Sequence, residues 1–124
     1  MDIVVDSLLN GSKNSKGIVV IIDVFRCFTT EAVAFSNGAE KIILVATIEE
    51  AIELKKLGFG DILMGEVSGK KPDGFDFGNS PSEIADLDFS GKTIIQSTRA
   101  GTVGVASATK ADMIFGGSFA VASA

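Results

Sequence analysis

Histidine is absent from this 124-residue chain, and cysteine occurs once, at Cys27. Without imidazole there is no Ser-His-Asp hydrolysis, no histidine base and no histidine metal ligand within the chain. A single cysteine excludes an intrachain disulfide and a multi-cysteine zinc site. Any bound metal is therefore held by oxygen, which favours Mg²⁺, Mn²⁺ or Ca²⁺ over zinc. Basic residues are outnumbered 11 to 16 by acidic ones, a net charge of −5, and no basic stripe offers a nucleic-acid surface. No apolar run approaches the roughly 20 residues that span a bilayer. Met1-Asp2-Ile3-Val4-Val5-Asp6 carries acid where a secretory signal carries lysine or arginine. The expectation is a cytoplasmic protein without nucleic-acid or membrane partners. Chemistry is left to carboxylates, hydroxyls, Lys, Arg, backbone amides and Cys27.

What is present points to one α/β domain over residues 1–124. The 46% hydrophobic content allows a sizeable core, and the 14 glycines supply tight turns. The β-branched run Ile18-Val19-Val20-Ile21-Ile22 reads as a strand (17–22) buried on both faces, as in a parallel sheet. Residues 29–36 read as a helix stopped by Asn37-Gly38, and 41–46 as a second strand. Thr47-Ile48-Glu49-Glu50 has the form of a capping box, opening a helix to about Leu57 that ends at Gly58. Residues 61–64 read as a short strand, and Ser80-Pro81-Ser82-Glu83 as a second capping box. Strands at 92–96 and 112–115 flank a small-residue helix at 102–109. The tail 118–124 has the composition of a helix just begun. Alternating β and α with short connections predicts a three-layer αβα fold, its mainly parallel or mixed sheet having about five strands.

In a parallel sheet the turns after the strands share one edge, where ligands bind. Here those turns are Asp23-Val24-Phe25-Arg26, Thr47, Gly65-Glu66, Ser97-Thr98-Arg99-Ala100-Gly101-Thr102 and Gly116-Gly117-Ser118. Asp23 is the best single candidate, suited to a Mg²⁺ ligand or an aspartyl-phosphate nucleophile ahead of the plainer reading as a helix cap or a partner for Arg26. The haloacid-dehalogenase pattern needs a second aspartate where Phe25 stands. Arg26 suits bidentate binding of phosphate or sulfonate. Thr29 and Thr30 stand where a helix begins, placed to bind an oxyanion or simply to cap. Glu66 is positioned to complete a metal site with Asp23. Asp76, between Phe75 and Phe77, is a further carboxylate candidate, or an Asx-turn. Ser97, Thr98 and Arg99 lead into a helix as an oxyanion cradle, without the Gly-Lys-Ser/Thr ending of a Walker motif. Cys27 reads as a small core residue.

These segments together resemble the 2-phosphosulfolactate phosphatase (ComB) family. The resemblance rests on residues 23–30, Ser36-Asn37-Gly38-Ala39, Gly65-Glu66, Gly74-Phe75-Asp76-Phe77-Gly78-Asn79-Ser80-Pro81, residues 97–102 and Gly117-Ser118-Phe119. It implies a Mg²⁺-dependent phosphatase that hydrolyses 2-phospho-3-sulfolactate to 3-sulfolactate and phosphate, a step towards coenzyme M. It also implies that these residues are the N-terminal part of a longer two-domain chain. Carried over by position, Asp23, Glu66 and Asp76 are the metal and acidic candidates, with Asp23 and Asp76 catalytic. Arg26, Thr29, Thr30, Ser97, Thr98 and Arg99 are the candidates for phosphate and sulfonate oxygens. Where many relatives carry asparagine and glycine, this chain has Arg99 and Ala100.

The reading is therefore a phosphate-monoester hydrolase acting on a small phosphorylated sulfonate or carboxylate, with a homo-oligomer allowed. Its rivals are a non-catalytic anion-binding domain and a half-domain that works only with a partner chain. An apolar surface left open would favour the half-domain.

Overall fold

Apolar runs bounded by glycines or caps become strands, and the stretches between them become helices, in a computed structural model describing residues 1–124. The order is α1 (Leu8–Asn14), β1 (Gly17–Ile22), α2 (Cys27–Ser36), β2 (Lys41–Val45) and α3 (Ile48–Lys56). It continues with β3 (Ile62–Gly65), α4 (Pro81–Ile84), β4 (Thr93–Ser97), α5 (Gly101–Ser107), β5 (Ala111–Gly117) and a 3₁₀ turn at Phe119–Val121. The α/β class and the five expected strands are present, all paired in parallel, consistent with a three-layer αβα fold.

The ladders divide in two, with β1 beside β5 and the order β2-β4-β3 in the other. In β2-β4-β3 successive side chains go to opposite faces, as the pleat requires. Ile94 and Met64 join Ala34, Ile84 and Phe89 on one face. Ile95 and Leu63 join Val45, Ala51 and Phe75 on the other. This sheet is covered on both sides, by α2 and α4 on one and α3 on the other.

In β1 only Val19 is buried, while Ile18, Val20 and Ile22 are exposed. The expectation of a strand buried on both faces is corrected here. Both α2 and α5 pack on the Val19 face: a Cβ on Gly104 of α5 would touch Ile21, and one on Gly116 would strike the Phe28 ring of α2. The opposite face has no helix over it. Helix α1 has no counterpart in the sequence reading, and the expected C-terminal helix is a single 3₁₀ turn.

Local signals explain the boundaries. Thr47 caps α3 by accepting the Glu50 N–H at 3.2 Å. Gly38 closes α2 with φ +94°, a conformation that suits glycine. Asn37 beside it donates to the carbonyls of Ile84 (2.7 Å) and Ala85 (3.1 Å), tying α2 to α4. The second capping box takes another form, with Glu83 reaching back to the Gly78 N–H at 3.0 Å.

Candidate active site

Asp23 extends β1 by one residue, donating its N–H to the Gly117 carbonyl at 3.1 Å. Helix α2 begins at Cys27, earlier than expected, so its first turn stands directly over that strand end. A Cβ on Gly101 would lie 2.5 Å from the Cys27 Cβ and 3.0 Å from the Asp23 Oδ2. Only glycine lets α5 start this close to both groups. One turn further along α2, Glu31 Oε1 accepts the Cys27 thiol at 3.3 Å.

The electrostatics of this cluster follow from burial. Loss of water, opposed by the Cys27 hydrogen bond and reinforced by the Asp23 charge, pushes the Glu31 carboxyl up to about 7. Cys27, fully buried, is pushed far above the ordinary thiol range by burial first and then by the Glu31 charge. It is a core thiol and not a nucleophile. Glu31 escaped the sequence reading because a helical glutamate is ordinarily solvated. Its only signal is the i, i+4 spacing from Cys27, which places the two on one helix face.

Beside this cluster a cleft of about 300 Å³ opens at the ends of β2, β4 and β3. Thr47, Glu66, Ser97, Thr98 and Arg99 line it. Glu66 Oε1 accepts the Arg99 backbone N–H at 2.7 Å, and its Oε2 accepts that of Gly69 at 2.8 Å. The Arg99 guanidinium is exposed and reaches Ser68 Oγ at 3.4 Å. Thr98 joins cleft and acidic cluster, since its side chain also lies against the Cys27 sulfur. Thr98 and Thr102 interlock: each hydroxyl accepts the other's backbone N–H, at 3.1 and 2.8 Å. The Thr102 amide in the first turn of α5 is thereby taken.

The other candidates lie deeper or elsewhere. Arg26 is half-buried at the α2 N-cap, and its carbonyl accepts the Thr30 hydroxyl at 2.9 Å. Thr30 is fully buried, and Thr29 donates its hydroxyl to the Val24 carbonyl at 2.8 Å. Both threonines brace the turn instead of presenting hydroxyls to solvent. Ser97 is buried, and its carbonyl accepts the Glu66 N–H at 3.0 Å.

Asp76 stands apart. Its carboxylate accepts the Leu63 N–H at 2.8 Å and pairs with Lys55 at 2.7 Å. Leu63 precedes Glu66 by three residues, about 10 Å at the rise of a strand. Phe75 and Phe77 explain this position, since each enters the core on a different face of β2-β4-β3. Burial works to raise the Asp76 carboxyl, yet the Leu63 and Lys55 contacts hold it below its ordinary value. Asp23, Glu66 and Asp76 are thus not brought together. No three acidic or cysteine side chains gather closely enough to hold a metal by themselves.

The family described as 2-phosphosulpholactate phosphatase matches residues 3–124. A probable 2-phosphosulfolactate phosphatase of Carboxydothermus hydrogenoformans is 47% identical over 106 residues, covering 86% of this chain and 44% of that protein. One from Clostridium perfringens is 40% identical over 119 residues, covering 92% and 48%. One from Thermotoga maritima is 49% identical over 83 residues, covering 67% and 36%. The chain spans less than half the length of these relatives. On this match over nearly its whole length, the chain belongs to the 2-phosphosulpholactate phosphatase family.

Proposed function

We propose that this chain forms part of a cytoplasmic phosphatase that hydrolyses 2-phospho-3-sulfolactate, or a similar small phosphate monoester, to 3-sulfolactate and phosphate. We also propose that residues 1–124 are the N-terminal portion of a longer two-domain protein, in a step leading to coenzyme M. The carrying observation is the shared strand edge, where Thr98 links the Asp23–Glu31 pair to the cleft of Glu66 and Arg99.

Arg99 supplies an exposed fork of donors suited to a phosphate or sulfonate, with Arg26 as a second cation at the α2 start. Glu66 holds the Arg99 backbone in place, and the Thr98–Thr102 lock fixes the turn that carries it. Thr29, Thr30 and Ser97 serve the site as bracing beneath it.

A divalent cation fits Asp23 and Glu31 better than it fits Asp23, Glu66 and Asp76. The chain's salt bridge is Lys55–Asp76, which leaves the Asp23–Glu31 pair without a cationic side chain. Mg²⁺ is commonly held by one or two carboxylates, with substrate phosphate and water completing its shell. Bound there, it would neutralise phosphoryl charge and acidify a water. Asp76 is assigned to the support of β3, outside the chemistry.

The test is phosphate release from 2-phosphosulfolactate and an aryl phosphate, in Mg²⁺ or EDTA. Wild type, Asp23→Asn and Arg99→Gln are compared. Release should need Mg²⁺ and vanish in Asp23→Asn. Arg99→Gln should lower the preference for the sulfonate substrate by about tenfold, the loss of one charged hydrogen bond. Mg²⁺-independent release, or none at all, refutes the assignment of activity to this chain.

A further inference from the structure

Parallel sheets are normally covered on both faces, because their crossover helices and buried strands leave neither face to water. The β2-β4-β3 ladder obeys this rule and the β1-β5 ladder does not. Its open face carries Ile18, Val20 and Ile22 from β1 and Met113 and Phe115 from β5, every one exposed. From the Ile18–Met113 pair onward β1 and β5 run in register, so these side chains form one stripe. Gly117 belongs to the same face, since a Cβ there would meet Val20 and Ile22.

The 3₁₀ turn extends the stripe with Phe119, 81% exposed, and a concavity of about 550 Å³ lies among Val20, Ile22, Phe115 and Phe119. None of these side chains is charged, which sets the face apart from an ordinary solvated sheet surface. The same two strands carry Asp23 and Ser118 at their ends, so whatever covers the face also borders the strand edge. Ser118 Oγ is buried there without a hydrogen-bond partner.

We propose that the open β1-β5 face is the seat of the polypeptide that makes up the remaining half of the longer family members. That polypeptide would pack as an apolar layer and complete the third layer of this ladder. Two observations point to this occupant. The relatives from Carboxydothermus and Clostridium place only 44% and 48% of their length in the matched region. The layer missing from this ladder is a whole one, not a single side chain. The inference rests on the two-domain reading above and not on the phosphatase activity.

Hydroxyl-radical footprinting tests it, on this chain and on the full-length Carboxydothermus protein, each checked for oligomeric state by sedimentation. In this chain Met113, Phe115 and Phe119 should be labelled rapidly. At the aligned positions of the relative, labelling should fall roughly tenfold, as for side chains that enter a core. A companion pair of variants reads stability. Val20→Lys should leave the urea midpoint of this chain essentially unshifted, as at an open surface site. The aligned substitution in the relative should abolish its cooperative unfolding transition or lower its midpoint markedly. Equal labelling in the two proteins overturns the proposal. So does protection in this chain that grows with concentration while the relative stays labelled, which would make the face a contact between copies. Phosphate release can fail without affecting either readout.

Discussion

Glu31 is the residue whose environment departs furthest from that of a solvated helix glutamate. Its folded carboxyl, at about 7 against an ordinary 4.5, binds a proton more tightly than in the unfolded chain. Its contribution to stability is therefore full below about pH 4.5 and is lost as pH rises through 7. Glu31→Gln removes the charge and keeps an oxygen for the Cys27 thiol. In EDTA, the variant should exceed wild type at pH 8 by up to about 3 kcal/mol and match it near pH 4.5. Urea unfolding at the two pH values measures this, and equal stability at pH 8 contradicts the buried pair.

Asp76 has the opposite sign. Its lowered pKa contributes stability above the ordinary carboxylate range, lost as pH falls through the folded value. Asp76→Ala should cost about 1–2 kcal/mol by orphaning the Leu63 N–H. Thermal unfolding checks the cost, and Mg²⁺-dependent phosphate release should keep its KM. Neither role was legible in advance. Lys55 lies 21 residues from Asp76 in sequence, and only the chain's return beside β3 joins them.

Among elements, the close approaches are where substitution is most costly. Gly65 turns out to be required by proximity, not by its dihedral angle, because a Cβ there would overlap the Ser97 carbonyl across the β3–β4 ladder. Gly101 is similar, since a Cβ there would lie 2.5 and 2.6 Å from the Cβ and sulfur of the buried Cys27. Gly101→Ala should destabilise by about 1–3 kcal/mol and push α5 away from Asp23. The urea midpoint reports the first effect, and reduced Mg²⁺-dependent thermal stabilisation reports the second. An unchanged midpoint would show that α5 shifts freely.

Element types were legible because apolar runs of strand length end at glycines or caps. Thr47, Gly38 and Gly58 stop or start helices as their chemistry dictates. Ladder membership was not legible, since β-branched runs do not encode which strand lies beside which. Nor did β1 reveal its open face: an uninterrupted apolar run looks the same whether its second face meets helices or water.

For the molecule as a whole, the turns at Thr47, Glu66 and Ser97–Arg99 meet at one strand edge and line the cleft there. That edge was legible from the order of strands and turns along the chain, whereas the direction of each side chain was not. Thr29 and Thr30 face inward because the α2 start is a tight turn whose carbonyls need donors. Asp76 is withdrawn by two phenylalanines that the core requires. What remains at the edge is an acidic pair, an exposed arginine and a cleft. Amide chemical shifts followed during a 2-phosphosulfolactate titration in Mg²⁺ measure that site directly. The expected result is saturable shifts confined to residues 23–31, 66–69 and 97–102, lost in Asp23→Asn. Shifts centred on Leu63 and Asp76, or none at saturating ligand, would contradict a phosphate-ester site at this edge.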